Sequence, residues 1–352
     1  MKRLNVYALL LLAALLLISK GRSISITDRA IVHAAGIDKA DDGFSVTLQI
    51  FKPEAAGADT PVDISKANFK NITAEGRNVS ECISALTKKA GCRLFLGHMQ
   101  LLVIGEGVSF DDTEAIAAPF REDKSIYPGL YLASAKNAGE IVSFPIKENA
   151  VTAENYRLIL ESACSRGDAL LARFIDLDST LDECSALAMP YLELIGREDE
   201  RCLTVTGSKV LGRHGFYKEK ITAEECAFLS MTVKEHTDIT SPHELRLDGD
   251  IVKLGYKHTD ISFESSGGKL LCRIAVIAKA DIGTDNKARL SSLAEEKIKA
   301  ALKKYLIERD MDIVSLYKHL RFKKPALFAK YKGRLYELYD DMELSVSVTL
   351  YS

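Results

Sequence analysis

The chain has 352 residues and a mass of 38.7 kDa, more than one average domain and enough for about two or three. A hydrophobic fraction of 47% and a charged fraction of 27% exclude a disordered, collagenous or multi-span membrane chain. The formal net charge of −2 supplies no basic excess for phosphate binding, so nucleic acid is not an expected partner.

At the N-terminus, Lys2 and Arg3 precede an unbroken apolar run from Val6 to Ile18, which stops at Ser19-Lys20-Gly21-Arg22. A basic flank followed by such a run is the layout of a secretory signal. As a helix the thirteen residues cover roughly 20 Å, against a hydrocarbon core of about 30 Å. Tyr7 and the basic flanks extend that reach, so the run also fits an uncleaved anchor. Residues 1–22 are therefore expected to be a signal or anchor segment, with the rest exported.

The body alternates strand and helix patterns. Ala30 to Asp38 is apolar and leads into an Asp-Lys-Ala-Asp-Asp-Gly turn, and Phe44 to Phe51 alternates with period two. The pair predicts a hairpin turning near Asp42-Gly43, its second strand half-buried. Glu54 to Asp63 reads as a loop and Asn68 to Thr73 as a strand. Asn78 or Ser80 can cap a helix that buries Val79, Cys82, Ile83, Leu86 and Ala90. Leu94 to Ile104 reads as a strand broken at Gly97-His98, Asp111 to Phe120 as a helix with an acidic start, and Tyr127 to Ser134 as a strand.

From Ala153 to Leu177 the period is helical, and after Pro190 it returns to strand over Tyr191 to Ile195. The charged run Arg197 to Arg201 suggests a boundary near 197–203, before a strand from Cys202 to Val210. Strands follow at Gly249–Tyr256 and Leu270–Ala278, then a helix over Ser292–Arg309. Met342 to Leu350 is a period-two strand which, if central, ties the C-terminus into a sheet. The reading is α+β: three domains built on mixed or antiparallel sheets with flanking helices, after the hydrophobic segment. The divisions are 1–22, 23–147, 148–203 (possibly part of the N-terminal unit) and 204–352.

No motif carries chemistry. The seven cysteines Cys82, Cys92, Cys164, Cys184, Cys202, Cys226 and Cys272 contain no C-x-x-C pair, and an odd count supports no disulfide framework. The histidines His33, His98, His214, His236, His243, His258 and His319 never stand at metal-ligand spacing. Cys92 and His98 are the one Cys/His pair near a turn, and nucleophilic catalysis would need a base within hydrogen-bond reach. The pairs Asp41-Asp42, Asp111-Asp112 and Asp340-Asp341 sit in turn-like or terminal positions. Phosphate-loop, dinucleotide and hydrolase-elbow motifs are missing, and no catalytic, cofactor or metal residue is assigned. Lys299, Lys303 and Lys304, with Arg321, Lys323 and Lys324, form a basic C-terminal region. It suits either a solvated face interleaved with Glu295, Glu296 and Glu308 or anionic headgroups.

A resemblance adds to this. Ala30-Ile-Val-His-Ala-Ala-Gly-Ile-Asp38 with Val46-Thr-Leu-Gln-Ile50 resembles the start of the spore-germination C-subunit family, whose members read A-I-V-x-A-x-G-I-D and then V-T-x-Q-I. Arg93-Leu-Phe-Leu-Gly-His98 through Ile104-Gly105 is similar to its R-x-F-x-G-H stretch. Weaker similarities lie at Thr206-Gly207, Val210-Leu211-Gly212, and Tyr317 to Tyr331 with Pro325. The resemblance implies a non-enzymatic germinant-receptor subunit of three α+β domains, without cofactors, on the outer face of the inner spore membrane. Its implied partners are integral-membrane A and B subunits that sense small germinants. Family members carry a lipidated Cys ten residues before the A-I-V motif, and here that position is Lys20. An amine cannot form the required thioether, so the apolar segment rather than a lipid is expected to hold the chain. The rival readings are an exported germinant-binding protein with an enclosed pocket and an exported Cys/His hydrolase.

Overall fold

The computed structural model describes residues 29–52, 68–146, 152–177, 186–197, 200–212, 215–216, 219–233, 243–266, 269–281, 283, 286–332, 335–340 and 342–352. The apolar leader, the Glu54–Asp63 loop, Cys184, His214 and His236 lie outside them. Among the described residues, no helix is long and apolar enough to cross a membrane.

Two sheets with flanking helices make a mixed α+β architecture. The first comprises β1 (Arg29–Ala40), β2 (Gly43–Phe51), β3 (Phe69–Gly76), β4 (Arg93–Phe95), β5 (Leu101–Gly105), β6 (Tyr131–Ala135), β7 (Leu187–Ile195), β8 (Cys202–Gly212) and β9 (Gly215–Phe216). Its order is β3-β2-β1-β5-β6-β7-β8-β9, with β4 paired to the beginning of β1. The middle strands β1, β5, β6 and β7 run parallel. Such strands are covered on both faces and so read as continuous apolar runs, which is why β1 and β5 do.

Helices α1 (Val79–Ala90) and α2 (Thr113–Glu122) cover one face of this sheet, burying Cys82, Leu86, Ile116 and Phe120 against Ile37, Leu48 and Ile104. Asn78 caps α1 by accepting the Glu81 amide at 2.9 Å. Helices α3 (Ala138–Ser143) and α4 (Thr152–Arg166) cover the other face, where Tyr156 and Leu160 meet Ala34, Leu101 and Val103. The sequence pattern predicts β2 to be half-buried, and this is corrected. Thr47 and Gln49 are buried as well, because α3 lies over the polar side of the strand. Thr47 shares a hydrogen bond with Thr73 and Gln49 Nε2 donates to Val142 O, whereas the buried Gln49 Oε1 has no hydrogen-bond partner among the described residues.

β7 begins at Leu187, earlier than expected, with Pro190 beside a register shift against β8. A missing amide is tolerated at such an irregularity. The break expected near 197–203 is not where the sheets separate: the strands on either side of it, β7 and β8, are hydrogen-bonded to each other within the first sheet.

The second sheet holds β10 (His243–Leu247), β11 (Asp250–Ser266), β12 (Lys269–Ala280) and β13 (Met342–Tyr351), in that order. α5 (Ala223–Ser230), α6 (Lys287–Leu302), α7 (Leu316–Lys323), α8 (Pro325–Tyr331) and α9 (Leu335–Asp340) belong with it. The last strand is not central; it pairs in parallel with β12 at one edge, and its alternating face is buried under α6. The helix expected over Ser292–Arg309 ends at Leu302 and continues as a π-helical turn, Lys303–Ile307. The two sheets share one core: Leu170, Ala188 and Val210 cluster with Ile221, Leu245 and Leu254, and Ser208 Oγ accepts the Leu170 amide at 2.8 Å.

Asp312 is the most fully buried carboxyl of this half. Burial raises its pKa, and it accepts the amides of Leu316 at 2.8 Å and Tyr317 at 2.7 Å, starting α7. Removing it orphans two donors inside the core. Asp312→Ala is expected to cost about 2–3 kcal/mol in chemical denaturation. An unchanged midpoint would show that α7 starts without this carboxyl.

Candidate functional site

The carboxyl ends of β1, β5 and β6 converge at Asp38, Gly105 and Asn137. In parallel sheets this is the edge where crevices form. Asp38, near the end of β1, accepts the amides of Ala138 at 2.7 Å and Gly139 at 2.8 Å, while Asn137 accepts the Glu140 amide at 3.0 Å. Together they satisfy the opening amides of α3. Two glycines make the close approach possible. A Cβ on Gly36 would stand 2.6 Å from Ala138 O, and one on Gly105 would stand 2.1 Å from Asp38 Oδ1.

Above this seat lies a wide, open groove of about 1120 Å³, lined by Asp41, Asp42, Glu75, Arg77, Lys136 and Glu140 among others. Asp41 and Asp42 form the hairpin turn and project into water. Burial disfavours the Asp112 carboxylate, but hydrogen bonds from Lys39 (2.6 Å) and Ser109 outweigh it and hold its pKa below the ordinary carboxylate range. Glu140 meets Arg201 at 3.1 Å. The cations and carboxylates that are paired thus serve to fasten loops.

The opposite end of β1 carries the other sequence motif. Arg29 lies 5.3 Å from the Phe95 ring centroid, and His98 packs edge-on against the same ring at 5.4 Å. Burial, assisted by His98, lowers the pKa of His33 to about 4, and His33 rests on Phe51. Cys92 Sγ donates to Ala90 O at 3.6 Å. No hydrogen bond joins Cys92 to His98, so the pair expected of a hydrolase is not assembled. Among the described residues, Cys82, Cys92, Cys164, Cys202, Cys226 and Cys272 form no disulfide, and no cluster of three or more His, Cys, Asp or Glu could hold a metal.

Sequence reading missed the buried polar groups at the joint between the sheets. His243 donates Nε2–H to Ala227 O at 2.8 Å and packs against Gly167, where an added Cβ would lie 2.8 Å from the ring. Burial and the nearby Lys257 lower its pKa to about 4. Glu225 accepts from Lys304 at 2.6 Å and Tyr305 at 3.1 Å, taking one of the lysines assigned to the basic region. Only the Thr222-x-x-Glu225 capping pattern signals this hub in advance.

Residues 22–194 match the family described as the spore germination protein N-terminal domain. Over that segment, just under half of its length, the chain is similar in sequence to this family. Its fold is similar to a solved structure, the crystal structure of the GerBC protein, with a TM-score of 0.53 and 16% identity over 90% of this chain and 97% of that one. No curated protein matches the chain.

The motif residues therefore have physical roles in this chain. Gly36 and Asp38 of the first seat α3, and Phe95, Gly97 and His98 of the second close the far end of β1. Asp38→Ala is expected to lower stability by about 2 kcal/mol, since two helix-opening amides lose a charged acceptor. A pH dependence follows from His243. Its folded pKa lies below the ordinary 6.5, so the unfolded chain binds the extra proton and stability falls as pH drops from about 6.5 to 4. The loss for this residue is about 3 kcal/mol. His243→Gln should flatten that part of the slope in urea melts at pH 7 and pH 4.5, and an unaltered slope would remove His243 as its source.

Proposed function

We propose that this chain acts as a germinant-receptor C subunit, performing no chemistry and working through contact with integral-membrane A and B subunits. It is held at the outer face of the inner spore membrane by its uncleaved leader, the thioether-forming Cys being replaced by Lys20. The observation that carries this reading is the use made of the motif residues. Asp38, Gly36 and Gly105 shape a rigid seat, and what lies above it is open and charged rather than enclosed. Small-molecule sites are enclosed and mostly apolar with a few convergent polar groups. The second cleft, at Lys253, Leu254 and Lys279, is smaller, about 370 Å³. Protein contact suits such a groove better than capture of a nutrient.

The charged turn Asp41-Asp42 and its neighbour Glu75 stand exposed on the rim. Reversing Asp41, Asp42 and Glu75 to Lys places like charge against any complementary partner, which costs several kcal/mol. Nutrient-triggered germination and co-purification of A and B subunits should both fall roughly tenfold or more, with an unchanged melting midpoint. Wild-type behaviour of this variant, or saturable germinant binding to the isolated chain, would reverse the assignment. Radiolabelled fatty acid should not enter the chain, and Edman sequencing should find the leader intact.

A further inference from the structure

Between Ile313 and Tyr336 the sequence holds seven Lys or Arg residues and no Asp or Glu, in a chain whose overall net charge is −2. The fold turns this run into α7 and α8, and at their junction six successive residues, Arg321-Phe-Lys-Lys-Pro-Ala326, are exposed. Phe322 is the most exposed large apolar side chain described, at 73%. An aromatic ring with this exposure contributes nothing to the core beneath it. Burial goes instead to Leu316, Tyr317 and Leu320, on the other side of the same helix. Lys323 is tied to Asp260 at 2.7 Å and also donates to Ile261 O, which fixes the tip on β11. The aliphatic and aromatic parts of such a tip suit the boundary between headgroup and acyl chain, and its cations suit phosphate.

The position of the tip supplies a second argument. Lys318, one turn before Phe322, acts on Asp176, drawing down a carboxyl that burial raises. The adjacent Ile175 donates its amide to Pro128 O at 3.0 Å. Pro128 lies just before β6, whose first residue Tyr131 is level with Leu101 and Ala34, so this is the end at which β1 begins. Ile175 at 51% and Tyr127 at 67% exposed stand here too. The basic tip and two further exposed apolar side chains therefore share the end of the molecule at which the chain arrives from its leader.

We propose that the α7–α8 tip, centred on Phe322, is a membrane-surface contact that takes the headgroups of anionic phospholipids. It rests on the membrane location given above and adds to it a second attachment, remote in sequence from the leader. A second attachment beside the leader fixes the orientation of the body over the bilayer, which a single tether does not.

The chain contains no Trp, so Phe322→Trp in the full-length protein provides a single indole at the tip. With vesicles of phosphatidylglycerol and phosphatidylcholine, its emission should shift to the blue and become shielded from an aqueous quencher. Pure phosphatidylcholine should leave it unchanged, and salt near 1 M, where the screening length is about 3 Å, should reverse the shift. Adding Lys324→Glu and Lys332→Glu should weaken the shift roughly tenfold or more in lipid titration, because each cation at an anionic surface counts for about fivefold. Co-flotation with both vesicle types but no indole shift overturns the proposal while leaving the leader's membrane role intact. Failure to float with either overturns both. A shift with polyglutamate but not with anionic vesicles assigns the tip to an acidic protein surface and overturns the lipid contact.

Discussion

The first half of the molecule depends on one carboxylate. Asp38, near the end of β1, places its two oxygens on the opening amides of α3, and that contact decides where the helix lies. Once α3 is seated, it covers Thr47 and Gln49, and Tyr156 from α4 donates to the carbonyls of Ile141 and Phe144, both at 2.9 Å. Gln49 donates to the neighbouring Val142 O. A buried hydroxyl and a buried amide thus supply donors at the carbonyl end of α3. Without the seat, the polar face of β2 would lie open to water and the sheet would lose its second cover.

Legibility followed burial. β1, β5 and β12 were visible in the sequence because their apolar residues have no other explanation, and α1 was visible from its cap and its period. β2 misled because alternation of Val46, Leu48 and Ile50 with Thr47 and Gln49 is the mark of a half-exposed strand. Nothing in those residues announces a helix contributed by chain almost a hundred positions away. The run Arg197–Arg201 misled in another way: charge marks solvent, and solvent is as available at a hairpin turn as between domains. Asp38 and Gly36 were noticed as a resemblance, but their role depends on a contact with Ala138 that spacing alone cannot supply. The His243 and Glu225 groups escaped altogether, since a buried polar residue looks like a surface one until its partners are known.

The joint between the sheets is made the same way. Ser208 takes the Leu170 amide, and His243 fills the space left by Gly167 while bonding Ala227 O. Apolar residues from β7 and β8 enter the core of the second sheet directly. A domain boundary drawn by sequence would cut this core. A shared core of this kind resists hinge motion, since a large apolar contact is what suppresses relative movement of neighbouring bodies. The body would then transmit a displacement applied at one end to the other, as the proposed role by contact requires.

The direction of the parallel strands gives the two ends different characters. At the carboxyl end, where crevices over parallel sheets ordinarily receive ligands, the helix-opening amides are already taken by Asp38 and Asn137, so no anion can use them. The groove that remains presents side-chain charge to water, and charge on an open rim governs encounter and partner choice more than tight capture. At the amino end, where β1 begins at Arg29, the large side chains Tyr127 and Ile175 are exposed. Orientation of the sheet therefore separates the charged end, where the proposed protein partners would bind, from the end proposed to meet a bilayer.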